Sequence, residues 1–320
     1  LMNILHITPE VNFAKNFVLP VIVKQQLKGH SCHLITSLSD YLDMGRVDAF
    51  GKSLPSSCSL TLIDLKLRKS ILLAIKGLFS LMKLIRTNSF DVIVFHSSVD
   101  SFFPLLLTRL YAPGKRVYFN HGVPFLGYKG TLRIVLKLIE YINLRNAQLT
   151  LTVGSGMRSV LRDLSPSSII NMAPPGSACG IKLMFKSYSK LTEAKSLARR
   201  KKGFSKSDRI VLFVGRPVRR KGIYDLLKAW QKLKLNENYK LIIVGPTESE
   251  LDCNIDFSQL NIFITGYVLD VSEYYMLADV LCVPSYHEGF SYAYLEAASF
   301  GCVPVCSNVP GSTDFVFDEV

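Results

Sequence analysis

The stretch "ADVLCVPSYHEGFSYAYLEAASFGCVPVC", Ala278–Cys306, decides the fold. An apolar run ending near Pro284 predicts a strand, and Glu288-Gly289-Phe290 predicts a turn. A helix is expected to open near Ser291 and cover Tyr292–Phe300, and "VPVC" starts a second apolar run. Strands that are apolar without alternation are buried on both faces, and when helices separate them they form a parallel sheet. The same grammar recurs outward along the chain. "RIVLFVG", "YKLIIVG" and "NIFITG" precede this stretch, and "NILHIT", "SCHLIT", "DVIVFH", "RVYFN", "QLTLTV" and "SSIINMA" fill the first half. Helix-length segments such as Leu19–Lys28 and Tyr224–Leu233 lie between them. The expected architecture is α/β, with two Rossmann-like doubly wound parallel-sheet domains facing a cleft. The first spans residues 1–177. The basic, Ser-rich segment 178–208 serves as linker and entry helix, and residues 209–320 form the second domain, short at its C-terminal end.

In 320 residues, 48% hydrophobic, there is material for two cores and little for disorder. The longest apolar region, Ile71 to Ile85, carries Lys76 and Lys83 and is too short to span a bilayer. The N-terminus "LMNILHITPE" lacks a basic region and cleavage site, so no signal peptide is expected. Seven cysteines without metal-ligand spacing point to a reducing cytoplasm with no disulfide framework. Residues 1–177 hold 20 Lys and Arg against 9 Asp and Glu, whereas residues 178–320 hold 18 against 16. Such a basic half suits an anionic surface or substrate. The segments Lys66–Arg86 and Lys129–Arg145 read as amphipathic helices with basic faces, which favours an anionic membrane surface over nucleic acid. A plain core-facing helix with a solvated basic side is the alternative for either segment.

Ligands of open parallel sheets bind beyond the carboxyl ends of the strands. Three polar clusters follow apolar strands directly: Asn120-His121-Gly122, "GRPVRRKG" (Gly215–Gly222) and "HEGF" (His287–Phe290). In the second, a strand ends at Gly215 and a helix begins near Gly222, with Arg216 and Lys221 placed to close around an anion. The spacing is not that of a P-loop. In the third, Gly289 allows close backbone approach, and the N–H groups of Phe290 and Ser291 can face a phosphate or sugar oxygen. Glu288 and Glu296 can accept from hydroxyls. Glu296 is the sharper case, because a carboxylate among Tyr292, Ala293, Tyr294, Leu295, Ala297 and Ala298 needs a donor. The plainer alternatives are a solvated basic turn, a helix cap at Glu288 and a Lys or Arg partner for Glu296. The chain contains no Asp-x-Asp triplet, so the charge of a diphosphate would be met by cations and helix starts, with no metal. "GSGMRS" (Gly154–Ser159) lacks the third glycine and later acid of a dinucleotide loop.

Together "FVGRPVRRKG", "IIVGP", "ITGYV" and "HEGFSYAYLEAASFGCVPVCSNVPGSTDFV" resemble the group 1 glycosyltransferases, family four of the GT-B fold. "ILHITPE", "LKGH" and "FNHGVPF" are similar to the branch that makes capsule and O-antigen. The resemblance covers nearly the whole chain. It implies a retaining, metal-independent enzyme that moves a hexose or N-acetylhexosamine from a nucleotide-diphosphate sugar, UDP-sugar favoured, to a lipid-linked or oligosaccharide acceptor. It needs no cofactor. By that likeness Arg216 and Lys221 stabilise the leaving diphosphate and Glu296 holds the ribose. Glu288, with the backbone of Gly289 and Phe290, holds the donor sugar, and His121 stands on the acceptor side. Many relatives carry a Gly-Gly loop after the first strand. Here Asn12, Lys15 and Asn16 occupy that place, with Asn120 as a further diphosphate or acceptor contact. The implied location is the cytoplasm, peripheral on the inner face of the plasma membrane. A nucleotide-sugar epimerase and a truncated, inactive nucleotide-sugar binder are the alternatives.

Overall fold

The computed structural model describes residues 1–37, 44–66, 70–173, 176–251, 255–314 and 316. It divides into two units, Leu1–Gly180 and Ile181–Val320. The first is a seven-stranded parallel sheet of order β3-β2-β1-β4-β5-β6-β7. Its strands are β1 (Asn3–Ile7), β2 (Ser31–Thr36), β3 (Cys58–Leu62), β4 (Val92–Phe95), β5 (Lys115–Asn120), β6 (Leu149–Thr152) and β7 (Ile170–Met172). Its helices are α1 (Val11–Phe13), α2 (Leu19–Leu27), α3 (Met44–Ser53), α4 (Ile71–Thr87), α5 (Phe102–Tyr111), α6 (Gly130–Asn146) and α7 (Ser155–Leu164). The second unit is a five-stranded parallel sheet of order β10-β9-β8-β11-β12. It contains α8 (Tyr188–Lys201), β8 (Arg209–Val214), α9 (Ile223–Leu233), β9 (Tyr239–Val244), β10 (Ile262–Ile264), α10 (Ser272–Leu277), β11 (Val280–Val283), α11 (Tyr292–Ser299) and β12 (Val303–Cys306).

Each apolar run expected as a strand is one. The expectation missed β3, whose "CSLTL" alternates and lies at the sheet edge, half exposed. Residues 181–208 group with the second unit. There α8 is pinned by its cations: Lys195 Nζ donates to the carbonyls of Ala278 (2.7 Å) and Phe300 (3.0 Å), and Arg199 pairs with Asp279 at 2.7 Å. The expected helix over Lys66–Arg86 is α4, which starts at Ile71, with residues 67–69 outside those described. α4 buries only Ala74, Gly77, Leu81 and Ile85, a single seam of helical spacing. Leu78 and Leu84 are half-buried against the core, whereas Ile71, Leu72 and Phe79 stay in solvent. Among the described residues no helix is long and apolar enough to cross a membrane.

Each sheet carries its own core. Leu5, Ile35, Ile93, Phe95 and Tyr118 are fully buried in the first, and Leu212, Phe213, Ile243, Leu281 and Val283 in the second. Burial on both sheet faces explains why these strands read as continuous apolar runs.

Candidate active site

In the second unit the loops after β8 and β11 are locked together. Gly222 caps α9 in a left-handed conformation (φ 71°), and a Cβ there would lie 2.0 Å from the Pro284 carbonyl oxygen. Only glycine permits that approach. Gly311 (φ 89°) does the same against the other flank, where a Cβ would lie 2.4 Å from the carbonyl oxygen of Gly289. The Tyr286 backbone N–H donates to the Arg220 carbonyl at 2.8 Å, and its hydroxyl donates to Asp225 at 2.9 Å.

Across this seam Lys221 Nζ donates to Glu288 Oε1 at 2.5 Å, and Ser285 Oγ donates to the same oxygen at 2.6 Å. Glu288 is buried, and its Oε2 takes no hydrogen bond among the described residues. Burial pulls the Lys221 ammonium below the ordinary lysine value, and the facing Glu288 carboxylate opposes that pull. Arg216 stands exposed one residue after Gly215. Glu296 projects from α11 and is half-buried. Its donor is the Tyr275 hydroxyl on α10, 2.9 Å from Oε2, so the Lys or Arg partner of the plainer alternative is replaced by a phenol. Burial raises the Glu296 carboxyl, and the Tyr275 bond partly offsets it. Oε1 takes no hydrogen bond among the described residues. Glu288 does not cap α11: Ser291 is the N-cap, and its side chain caps nothing. The backbone N–H groups of Phe290 and Ser291 are likewise without hydrogen bonds among the described residues. The second unit thus presents an ammonium, a guanidinium, two carboxylate oxygens and two amide donors at its strand ends.

In the first unit His121 follows β5, half-buried against Phe119 (ring centroids 4.6 Å apart) and Phe13 (4.8 Å). Its Nε2 lies 3.1 Å from His96 Nδ1, and His96 Nε2 lies 2.9 Å from His6 Nδ1. His6 Nε2 ends the chain 2.9 Å from Gln25 Oε1 on α2. Sequence reasoning missed His6 and His96. The signal was present, since both interrupt apolar strand runs in "NILHIT" and "DVIVFH". Register explains the meeting. His6 lies opposite Val94 and Phe95 opposite Tyr118, so the alternation puts His6 in β1 and His96 and His121, each one residue past the end of β4 and β5, on one face of the sheet. Burial depresses His6 to about 4 and His121 to about 3, and holds His96 well below the usual range with help from its two neighbours.

Asn120 needs correction as a ligand contact. It is 1% exposed, its amide nitrogen donates to Glu140 Oε1 (2.9 Å) and Tyr118 Oη (3.0 Å), and its Oδ1 accepts from the Gly122 N–H (3.1 Å). It shapes the turn that carries His121. Glu140 on α6 also accepts from Tyr118 Oη at 2.8 Å and from Ser98 Oγ, and burial raises its carboxyl to about 7. Asn12, Lys15 and Asn16 are exposed on a continuous helical segment, α1 and a π-turn (Ala14–Val18) leading into α2.

Residues 22–176 match the family Glycosyltransferase Family 4, and residues 194–320 match Glycosyl transferases group 1. The chain belongs to the group 1 glycosyltransferases. Members similar to it include the capsular polysaccharide biosynthesis glycosyltransferase CapM of Staphylococcus aureus. It is 25% identical over 212 residues, covering 63% of this chain and 54% of CapM. The UDP-Gal:alpha-D-GlcNAc-diphosphoundecaprenol alpha-1,3-galactosyltransferase of Escherichia coli is 23% identical over 293 residues, covering 88% and 71%. Relatives from Bacillus subtilis and Methanocaldococcus jannaschii, 31% and 32% identical, match over 37% and 40% of this chain. The chain spans about a third of the length of those two relatives, 30% and 34%.

Solved structures of GT-B glycosyltransferases share the fold. Sucrose-phosphate synthase from Thermosynechococcus elongatus superposes with a TM-score of 0.73 at 19% identity, covering 97% of this chain and 82% of its own. Anabaena HepE in complex with UDP and glucose gives 0.70 at 14% identity, covering 99% and 84%.

Proposed function

We propose that this group 1 glycosyltransferase moves a hexose or N-acetylhexosamine from a nucleotide-diphosphate sugar, UDP-linked by preference, to a lipid-linked glycan acceptor. Transfer retains the anomeric configuration and uses no metal. The Lys221–Glu288 pair carries the reading. It joins the loops after β8 and β11 at 2.5 Å, holding a half-buried ammonium beside a buried carboxylate with one oxygen to spare. Lys221 and Arg216 offset the charge that grows on the leaving diphosphate, the kind of preorganised electrostatics that dominates such barriers. The N–H groups of Phe290 and Ser291 at the start of α11 favour the same anion. Glu296 Oε1 accepts from the ribose, and Glu288 Oε2 accepts from a donor-sugar hydroxyl. His121 stands on the acceptor side. The acceptor oxygen bonds to the anomeric carbon on the face the phosphate leaves, the carbon–phosphate-oxygen bond breaks, and the acceptor proton passes to the departing phosphate.

The acceptor and location are inferred from the first unit and the relatives. Two relatives are named for undecaprenyl-diphosphate-linked substrates. On α4, Ile71, Leu72 and Phe79 are exposed beside Lys76 and Lys83, and on α6 Leu132, Ile134, Val135 and Leu138 beside Arg133 and Lys137. α5 packs against both helices. Such a face suits an anionic leaflet, and a peripheral site on the inner membrane surface follows.

The test is a panel of UDP-, GDP- and dTDP-sugars scored by thermal shift, followed by transfer from the stabilising radiolabelled donor to undecaprenyl-diphosphate-linked sugars. A single nucleotide class should stabilise the protein by mass action, with label appearing in the lipid product. Failure of every donor to bind, or a trapped glycosyl–protein adduct, would contradict the scheme.

A further inference from the structure

We propose that Gln25, His6 and His96 are positioning residues that fix His121 as the Nε2–H tautomer and so aim its Nδ1 lone pair at a substrate hydroxyl. The inference rests on His121 standing on the acceptor side, as proposed above, and names what it does there. Three neutral imidazoles in series, each with one N–H and one lone pair, can be wired in only two directions. The terminus decides between them. Gln25 Oε1 can only accept, and it also takes the Cys32 thiol at 3.3 Å. His6 therefore carries its proton on Nε2 and accepts at Nδ1. His96 must donate from Nε2 across the 2.9 Å contact and accept at Nδ1. His121 must in turn donate from Nε2 across 3.1 Å. Its Nδ1 is left as a lone pair with no hydrogen bond among the described residues.

Neutrality of all three rings follows from burial, which keeps each well below the usual histidine range. Phe13, Phe17 and Phe119 pack around the His121 ring and oppose a flip. A ring so depressed does not serve as a proton store at neutral pH. It orients a hydroxyl by accepting its hydrogen bond, and it rejects a substrate group that can only accept.

Long-range proton–nitrogen correlation spectra of the whole protein, labelled with nitrogen-15 at histidine and recorded without substrate, read the tautomers directly. His6, His96 and His121, assigned from single His→Gln variants, should all be Nε2–H at neutral pH. An Nδ1–H or averaged His121 in the wild-type protein overturns the inference, whether or not sugar transfer is observed. Gln25 Oε1 is the acceptor that sets the direction of the chain. Gln25→Met removes it; His121 should then become a mixture, with turnover down roughly tenfold, the scale of one misdirected hydrogen bond, and donor affinity unchanged. A Gln25→Met protein whose His121 stays Nε2–H also overturns it. Should that variant not fold, the wild-type spectrum decides alone.

Discussion

Lys221 is the residue on which the donor reading turns, and its surroundings make two effects separable. Lys221→Ala should lose about 2–4 kcal/mol of transition-state stabilisation, measured as kcat/KM, because its ammonium is the cation held across the seam against Glu288. It also strips Glu288 of its counter-charge, so the same variant should be less stable by about 1–3 kcal/mol in urea. Adding Glu288→Gln should restore much of that stability but none of the activity. Recovery of both together would make the pair a structural tie. Glu296 tests the nucleotide. With Tyr275 holding Oε2, Glu296→Ala should weaken donor binding in calorimetry by roughly tenfold or more. Tyr275→Phe, which frees the carboxylate without removing it, should cost less. Unchanged donor affinity in Glu296→Ala would reduce its role to the Tyr275 bond. The acids and cations were legible because they interrupt apolar segments at strand ends. Their partners were not: Tyr275 and Ser285 sit in ordinary segments, and only folding brings a phenol of α10 to a carboxylate of α11.

At the level of elements, the sheet was readable because parallel strands buried on both faces are apolar throughout, which no surface segment imitates. β3 escaped because an edge strand alternates and buries little. Strand order escaped too, and with it the histidine chain, since β1, β4 and β5 are neighbours only through crossover connections. The loops after β8 and β11 rest on backbone contact that leaves a glycine and no other sequence trace. Gly222→Ala would force a Cβ to 2.0 Å from the Pro284 carbonyl oxygen at a left-handed residue. The loop must open or the strand must shift, at a cost of at least about 2 kcal/mol. Thermal unfolding should show a lowered midpoint, and the Lys221–Glu288 contact should be lost, with donor affinity falling alongside. An equally stable Gly222→Ala protein would show that the two loops are not braced at this point.

For the molecule as a whole, the basic excess of the first half and the apolar faces of α4 and α6 belong together. Vesicles containing anionic lipid should retain the protein at low salt, and Leu132→Ser, Ile134→Ser and Val135→Ser combined should release it without altering donor binding. No binding to such vesicles, or binding that ignores both salt and these residues, would rule out α4 and α6 as a membrane-facing surface. The pH dependence of folding tests the first unit's interior. Histidines held neutral at about 4 and about 3 bind fewer protons in the folded chain than in the unfolded one, whose rings titrate near 6.5. The stability they support is complete above pH 6.5 and is lost as pH falls toward 4. Glu140 has the opposite sign: its carboxyl, held to about 7 when folded, gives a contribution that is full below 4.5 and lost as pH rises through 7. Three rings against one carboxyl leave a net fall of about 1–3 kcal/mol per pH unit between 6 and 4.5, at about 1.4 kcal/mol per group. Urea unfolding followed by circular dichroism should show a midpoint that rises with pH and levels off above about pH 7.5. Glu140→Gln should steepen the rise below pH 7, and His6→Asn should reduce it. The single tryptophan, Trp230, lies in the core of the second unit, whose sequence has one histidine, His287, so its fluorescence transition should move less over the same range. A tryptophan transition that follows pH as steeply as the dichroism would locate the titrating groups outside the first unit's histidine chain.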